Sequence, residues 1–171
     1  YKIVTIPLPK GVKIEAGSFD VLPDGRLAVG TRRGQIYLIT GAFDQAPNPQ
    51  FHIYAEGLDQ IFGLSYASKE KAFYVTQQCE VTRITDSNGD DRGDNFETLS
   101  DEWGLKDYHE FAFGSKRDKE GNIFVSLCLT KSYTSHQKWR GWAMKVSPDG
   151  KTTPVCSGQR SPGGSAANKD G

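Results

Sequence analysis

Short runs of alternating apolar and polar residues follow one another along most of the chain, and turns rich in Gly and Asp separate them. The stretch GSFDVLPDGRLAVGTRRGQIYLIT shows the arrangement: a strand, an Asp-Gly turn, a second strand, an Arg-Gly turn and a third strand. A period of two residues is typical of β-strands, and no segment shows the period of a helix. The pattern therefore predicts an all-β protein built from short strands.

The same unit recurs along the chain. FGLSYASKEKAFYVTQQCEVTRIT repeats it, and HEFAFGSKRDKEGNIFVSLCLT repeats it again, reaching its third strand, GWAMKVSP, after the insert KSYTSHQKWR. A fourth strand and a glycine-containing loop follow each unit, as in FHIYAEGLDQ. When Phe19, Leu64, Phe111 and Gly164 are taken as equivalent, successive units are 45, 47 and 53 residues apart.

Repeats of about 40 to 50 residues with four strands each are typical of the blades of a β-propeller. A two-sheet β-sandwich also contains many short strands, but it would not repeat its turns in the same order. We therefore predict a propeller in which the first strands of the blades begin near Ser18, Gly63, Glu110 and Gly163. The predicted segments are a connector strand (1–17), three blades (18–61, 62–108 and 109–162, the last with an insert at 130–140) and the start of a further blade (163–171).

The repeat count also bears on completeness. A propeller closes with about four to eight blades, so three blades leave both end faces uncovered. The final stretch, GGSAANKDG, has the pattern of a first strand and its turn. We therefore expect the chain to belong to a propeller that is completed by the remainder of the protein or by another chain.

Composition excludes some partners. The 21 Lys and Arg residues balance the 21 Asp and Glu residues, so no net charge attracts nucleic acid or an anionic membrane. No apolar run approaches the roughly 18 residues of a membrane span. Three cysteines, Cys79, Cys128 and Cys156, permit at most one internal disulfide. We predict no nucleic-acid partner and no membrane span in this chain.

Three polar residues occupy equivalent places in successive connectors: Gln60 before IFGLSY, His109 before EFAF and Arg160 before SPGG. Each connector enters an innermost strand at one face of a propeller, so these side chains should converge near the central channel. A His beside an Arg and an amide can accept a proton and stabilise an oxyanion. The alternative, that His109 caps a strand and Arg160 pairs with a carboxylate, stays open.

The segment DSNGDDRGDNFE resembles the calcium-binding loop of an EF-hand in its spacing. Calcium prefers six to eight oxygen ligands, and alternate residues of a tight turn can direct them inward. Asp91 stands where such loops carry a Gly, and the alternative is a solvated polar loop. The residues at the ligand positions are Asp86, Asn88, Asp90, Arg92 (through its carbonyl), Asp94 and Glu97.

The insert combines Trp139 and Trp142 with Lys138 and Arg140. Aromatic faces next to cationic groups suit carbohydrate stacking or a protein contact. Packing of one Trp between blades is an equal alternative. The insert also contains His136, for which a polar loop is the simplest expectation.

Five segments together carry a resemblance to known proteins: DVLPDGRLAVGTRRGQIYLI, FYVTQQCEVTRITDSNGDDRGDNFET, YHEFAFGSKRDKEGNIFVSL, WRGWAMKVSPDGKTTPVCSGQRSPGG and NKDG. They resemble a family of large secreted β-propeller proteins of the membrane-bound dehydrogenase type, abundant in planctomycete-like bacteria and often fused to a cytochrome c domain. More distantly, the chain is similar to the quinoprotein glucose and sorbosone dehydrogenases, which are six-bladed propellers that bind pyrroloquinoline quinone over the channel mouth.

The resemblance implies a six-bladed propeller, secreted or periplasmic, that oxidises a carbohydrate-type alcohol and passes electrons to a cytochrome c. His109 would take the proton of the sugar hydroxyl, and Arg160 and Gln60 would contact the quinone, most of whose ligands would lie outside this chain. The chain departs from the dehydrogenase pattern beside both motifs. Glu110 and Phe111 replace a glycine pair, and an Asn that follows the Arg is replaced by Ser in RSPGG.

Two functional classes follow from the sequence. The first is an enzyme, a quinone-dependent sugar or alcohol dehydrogenase. The second is a non-catalytic propeller that binds glycan or protein within an extracellular assembly. Metal-dependent lactone or ester hydrolysis is less favoured, because the three connector residues do not make a carboxylate-rich metal site.

Overall fold

A computed structural model describes residues 3–129 and 137–166. These two ranges contain twelve β-strands and no helix, and therefore no helix that is long and apolar enough to cross a membrane. The strands are β1 (Ala16–Val21), β2 (Leu27–Thr31), β3 (Ile36–Thr40), β4 (Gln50–Ala55), β5 (Gly63–Ala67), β6 (Ala72–Thr76), β7 (Val81–Thr85), β8 (Asn95–Ser100), β9 (Ala112–Arg117), β10 (Ile123–Leu127), β11 (Trp142–Val146) and β12 (Thr152–Ser157).

The strands form three antiparallel four-stranded meanders. Strands β1 to β4 form one sheet in chain order, and the other eight share a sheet in the order β12-β11-β10-β9-β5-β6-β7-β8. That larger sheet is two meanders joined at their first strands, because β5 and β9 share a single parallel bridge between Gly63 and Gly114. We call the meanders blade 1 (β1–β4), blade 2 (β5–β8) and blade 3 (β9–β12). The predicted all-β propeller architecture is confirmed.

Glycine allows the innermost strands to approach each other closely. A Cβ added to Gly63 would lie 2.1 Å from the carbonyl oxygen of Gly114. Gly114 has a φ of +147°, and a Cβ there would lie 2.1 Å from the carbonyl oxygen of Phe124. Side chains rarely adopt that backbone region, so Gly is required at the point where blades 2 and 3 meet.

Two separate hydrophobic cores fill the spaces between blades. The first joins blades 1 and 2 and includes Leu38, Phe73 and the connector residue Ile61. The second joins blades 2 and 3 and includes Met144 and the connector residue Trp103. Strand β6 is buried on both faces because blade 2 lies between the other two. Each connector thus contributes one large side chain to the core beside it.

The predicted strand starts agree with the structure in the middle blade and shift slightly in the others. Strand β5 begins at Gly63, whereas β1 begins at Ala16 and β9 at Ala112. Residues 163–166 form no strand, and the rest of the predicted fourth-blade segment lies outside the described residues. His136 and the insert residues 130–136 also lie outside them.

Candidate functional site at the connector face

The connectors and the turns between second and third strands lie at the same end of the blades. In blade 1, the backbone N–H of Arg32, in the turn after β2, donates to the carbonyl of Glu15 at 2.8 Å. The N–H of Ile61, in the connector before β5, donates to the carbonyl of Thr31 at 3.1 Å. Antiparallel meanders place these segments together, so we call this end the connector face.

A cleft of about 410 Å³ opens on the connector face beside blade 3. It brings together His109 and Arg160, two of the three residues predicted from the repeats, although they are far apart in the sequence. Aromatic rings form one wall, and the buried Cys128 thiol lies in the same cleft. The lining residues are His109, Phe111, Phe113, Cys128, Leu129, Arg160, Ser161 and Pro162.

Gln60 does not line this cleft. Its Oε1 instead accepts hydrogen bonds from Arg32, at 3.2 Å from Nε and 3.1 Å from Nη2. The Arg32 guanidinium lies over two rings, 5.7 Å from the centroid of Phe62 and 6.0 Å from that of Phe111. Because Phe111 lines the cleft, Arg32 and Gln60 lie next to the cleft on the connector face. The repeats did not indicate Arg32 as a candidate site residue, although its turn is at the end of the blade where the connectors lie.

His109 is held in an orientation suited to proton transfer. Its side chain is 54% exposed, and Nδ1 lies 3.3 Å from Oδ1 of Asp107. The same carboxylate oxygen accepts the His109 backbone N–H at 3.1 Å. The imidazole also contacts the exposed ring of Tyr108, with 3.8 Å between centroids and 36° between the ring planes. Among the described residues Nε2 has no hydrogen-bond partner, so this nitrogen can accept a proton at the protein surface.

The three cysteines are free thiols, and they occupy different environments. Cys128 is buried in the cleft, and burial raises the pKa of its thiol, an effect that the nearby Arg140 cation partly opposes. Cys79 is half-buried, and burial raises its pKa as well. Cys156 is exposed on β12. A thiol with a raised pKa is a poor nucleophile at neutral pH, so Cys128 is a packing residue of the cleft wall.

The segment DSNGDDRGDNFE (86–97) lies at the end of the blades opposite the connector face. There Asp91 pairs at 3.0 Å with Arg26, which directly precedes β2. Asp91 adopts a φ of +63°, the conformation for which calcium loops use Gly. Its N–H donates to Oδ2 of Asp86 at 2.8 Å, and Asn88 Nδ2 lies 3.4 Å from Asp90 Oδ2. The tight turn therefore forms without the Gly that the sequence lacks.

The remaining predicted ligands of the loop face other partners. The Asp94 carboxylate accepts hydrogen bonds from the backbone and side chain of Ser87, at 2.9 and 2.6 Å. Glu97 lies on β8 and pairs with Arg83 at 3.2 Å. The described residues contain no group of three or more His, Cys, Asp or Glu that could hold a metal ion. Calcium binding by Asp86, Asn88, Asp90, Arg92, Asp94 and Glu97 stays a prediction.

The described end of the insert packs against blade 3. Trp139 and Trp142 meet edge to face with 5.6 Å between centroids, and both pack against the second core. Lys138 Nζ lies 4.9 Å from the Trp139 ring. Arg140, predicted as a cationic group for carbohydrate stacking or a protein contact, is instead buried and bonded to backbone carbonyls. The two Trp side chains are therefore largely structural.

Comparison with known proteins supports the fold. The chain is similar to the holo PQQ domain of pyranose dehydrogenase from Coprinopsis cinerea, with a TM-score of 0.63 and 12% identity over 84% of this chain and 36% of that one. It is also similar to a Thermus thermophilus protein assigned as an oxidoreductase (glucose dehydrogenase), with a TM-score of 0.57 and 18% identity over 82% of this chain and 46% of that one. The chain thus spans less than half the length of each. No protein-family model and no curated protein matches the sequence.

Proposed function

We propose that the connector face binds pyrroloquinoline quinone and that the protein oxidises a carbohydrate-type alcohol. The observation that carries the proposal is the placement of His109 in a cleft shared with Arg160, with Nδ1 3.3 Å from the Asp107 carboxylate. Both structural neighbours are described as sugar dehydrogenases, and one of them as a PQQ domain. The fold they share with this chain supports the proposal.

The residues of the cleft fit such a cofactor. A planar quinone that carries carboxylates needs flat apolar surface and cationic hydrogen-bond donors. Phe111 and Phe113 supply the surface, and Arg160 and the neighbouring Arg32 supply the cations. When bound, the quinone supplies a two-electron acceptor for the substrate. Gln60, fixed by Arg32, contributes an amide at the edge of the same region.

His109 acts in this proposal as the general base. Nε2 takes the proton of the substrate hydroxyl, and the imidazolium that forms is stabilised by the Asp107 carboxylate at Nδ1. Asp107 also fixes the ring through the His109 backbone N–H. An Asp two residues before the base thus orients the imidazole in this proposal.

The wider assignment rests on the resemblance in sequence. It includes a secreted or periplasmic location, a cytochrome c as electron acceptor and membership of the dehydrogenase-type propeller family of planctomycete-like bacteria. Two further parts of the proposal rest on the residues themselves. They are a calcium ion, from the ligand spacing of DSNGDDRGDNFE, and the division into blades at 18–61, 62–108 and 109–162, with the insert at 130–140, from the repeats.

A reconstitution experiment tests the proposal. The purified protein is titrated with pyrroloquinoline quinone and calcium, and reduction of an electron-accepting dye is followed with a panel of aldoses. We expect His109→Gln to lower kcat by about 10²- to 10⁴-fold, the usual contribution of a general base, with unchanged quinone affinity. The matched control is His52→Gln, because His52 is exposed on β4, away from the cleft, and its ring Nε2 lies 2.9 Å from the Asp91 carbonyl oxygen.

Two results would reject the proposed enzymatic function. One is failure of the quinone to bind, and the other is full turnover in His109→Gln. The alternative, a non-catalytic module that binds glycan or protein, is favoured by two exposed side chains of the connector: Tyr108, which contacts the cleft residue His109, and Leu105. Binding of a glycan array without turnover, abolished by Tyr108→Ala, would support that alternative.

A further inference from the structure

The turn that carries His109 is anchored by a buried arginine. Arg140 is only 5% exposed, and its five N–H groups all donate to backbone carbonyls. Nη1 reaches the carbonyls of Glu110 and Phe111 at 2.6 and 3.0 Å, directly after His109. The other three bonds go to Gly104 and Gln78, in the connector and in blade 2. One side chain of blade 3 thus holds three segments together.

A buried carboxylate holds the same turn from within. Glu110 is 1% exposed, and its Oε2 accepts the backbone N–H groups of Lys106 at 2.7 Å and Asp107 at 3.3 Å. Burial lowers the pKa of the Arg140 guanidinium, and the nearby Glu110 carboxylate opposes that effect. The two oppositely charged side chains are thus both buried on the inner side of the turn, each bonded to its backbone.

Gln78 completes the support. Its side chain is buried, and Nε2 donates to the carbonyl of Tyr108 at 3.1 Å. The backbone carbonyl of Gln78 accepts hydrogen bonds from Arg140 and, at 3.0 Å, from the indole of Trp103. The backbone of residues 106–111 is therefore bonded on its inner side to blades 2 and 3, whereas the Tyr108 and His109 side chains face outward.

Stability alone does not require this arrangement. A buried ion pair can often be replaced by apolar side chains of similar volume without loss of stability, because desolvation of the charges offsets their attraction. A planar guanidinium with five donors fixes the relative positions of several carbonyls, which apolar packing does not do. At this place the carbonyls belong to the turn that presents His109.

We propose that Arg140 and Glu110 form a buried clasp, and that Arg140 is a positioning residue that sets where His109 stands in the cleft. The catalytic part of this inference rests on the proposed function. The clasp locates the backbone of residues 106–111, Asp107 then orients the imidazole, and Nε2 is placed to meet the substrate hydroxyl. A misplacement of about 1 Å at a reacting group can cost about 10²-fold in rate.

Arg140→Lys tests the clasp directly, because Lys keeps the positive charge but cannot bond all the converging carbonyls. The matched control is Arg117→Lys: Arg117 also joins blades 2 and 3, with Nη2 2.7 Å from Glu70 Oε1, but at the opposite end of the blades. In Arg140→Lys we expect amide hydrogen exchange at residues 106–109 to be at least about tenfold faster, as loss of hydrogen bonds to a charged group implies. In the control, exchange at these amides stays as in the wild type.

The kinetic arm separates positioning from general stability. In the quinone-loaded protein we expect Arg140→Lys to lower kcat by about 10²-fold with little change in KM or quinone affinity, and the control to retain its kcat. If Arg140→Lys does not fold, Glu110→Gln is measured in its place, because the amide keeps the size of the side chain and an acceptor oxygen. Unchanged exchange at 106–109, or faster exchange with unchanged kcat, would overturn the inference. Absence of turnover in the wild type would reject the proposed function, while the exchange measurement would still decide whether the clasp exists.

Discussion

Polar side chains at the seams between blades fix how the blades meet. Between blades 1 and 2, Asp20 Oδ2 accepts the backbone N–H of Tyr66 at 2.6 Å. Between blades 2 and 3, the hydroxyls of Thr76 and Ser115 share a hydrogen bond, and both residues are fully buried. Apolar contacts tolerate sliding, whereas these bonds are satisfied at one position only. Single polar residues therefore set the register of neighbouring blades.

Glu70 offers a test of such a contact through pH. Burial raises the pKa of its carboxyl, but hydrogen bonds from Tyr74 and Arg117 outweigh burial, so the pKa lies below its ordinary value. A lowered pKa stabilises the fold above the unfolded value of about 4.3, and this contribution is lost as the pH falls through the folded value. We expect Glu70→Gln to reduce the free energy of unfolding by about 0.5–1 kcal/mol at pH 7, a modest effect because the carboxylate is half-exposed and screened by solvent.

Urea unfolding at pH 7 and pH 3 measures the effect. The difference between wild type and Glu70→Gln should shrink as the pH falls toward 3, because protonation of the wild-type carboxyl removes the contribution. Glu120→Gln is the control, since Glu120 is exposed and its carboxylate lies at a long 3.9 Å from Lys119. An equal difference at both pH values would show that the ion pair with Arg117 does not contribute.

At the scale of the element, the innermost strands depend on glycine. The parallel bridge between β5 and β9 involves one pair, Gly63 and Gly114, so a small change there affects the joint between two blades. A bulge in the pairing of β9 with β10 between Phe124 and Val125 adjoins the same point. Local irregularity and close approach thus occur together where the blades converge on the axis.

Gly63→Ala should therefore destabilise the protein. Its Cβ would meet the backbone of Gly114, which cannot move aside as the end of a flexible side chain could. We expect a loss of about 1–3 kcal/mol in the free energy of unfolding, the usual range for overpacking. Gly163→Ala is the control, because a Cβ at Gly163 would meet nothing within 4 Å. Chemical denaturation measures the free energy of unfolding of both variants. Equal values would show that β5 and β9 can move apart without loss of stability.

At the scale of the whole molecule, blade 2 is the shared partner of two otherwise separate cores. The first core contains no residue of blade 3, and the second contains no residue of blade 1, among the described residues. Stability in such an array is approximately a sum of nearest-neighbour terms. Opening of one seam should therefore leave the other largely intact.

Matched core substitutions test this independence. Leu38 on β3 and Met144 on β11 are both buried, one in each core. We expect Leu38→Ala and Met144→Ala each to cost about 2–5 kcal/mol at its own seam. Native-state hydrogen exchange should show Leu38→Ala exposing amides of β2 and β3 while those of β10 and β11 keep their protection, and Met144→Ala doing the reverse. Uniform loss of protection in both variants would indicate a single cooperative unit.

The sequence by itself determined the all-β class, the three four-stranded repeats and the place of the candidate site. Strand period and turn residues are local properties, so they can be read without knowing the partners of a segment. Equivalence between repeats extends this to distant residues, which is why His109 and Arg160 could be placed on one face. The proposed function came from the resemblance to quinoprotein dehydrogenases, because local patterns do not contain it.

Only the tertiary structure decided which side chains meet. Arg140 stands beside two Trp residues in a polar insert, yet it is buried because three segments bring their carbonyls to it. Gln60 is equivalent to His109 by repeat, but Arg32 binds it away from the cleft. Glu97 fits the spacing of a calcium loop, but β8 aligns it with Arg83. Each outcome depends on a partner distant in the chain or across a strand pair, and one-dimensional spacing does not specify such partners.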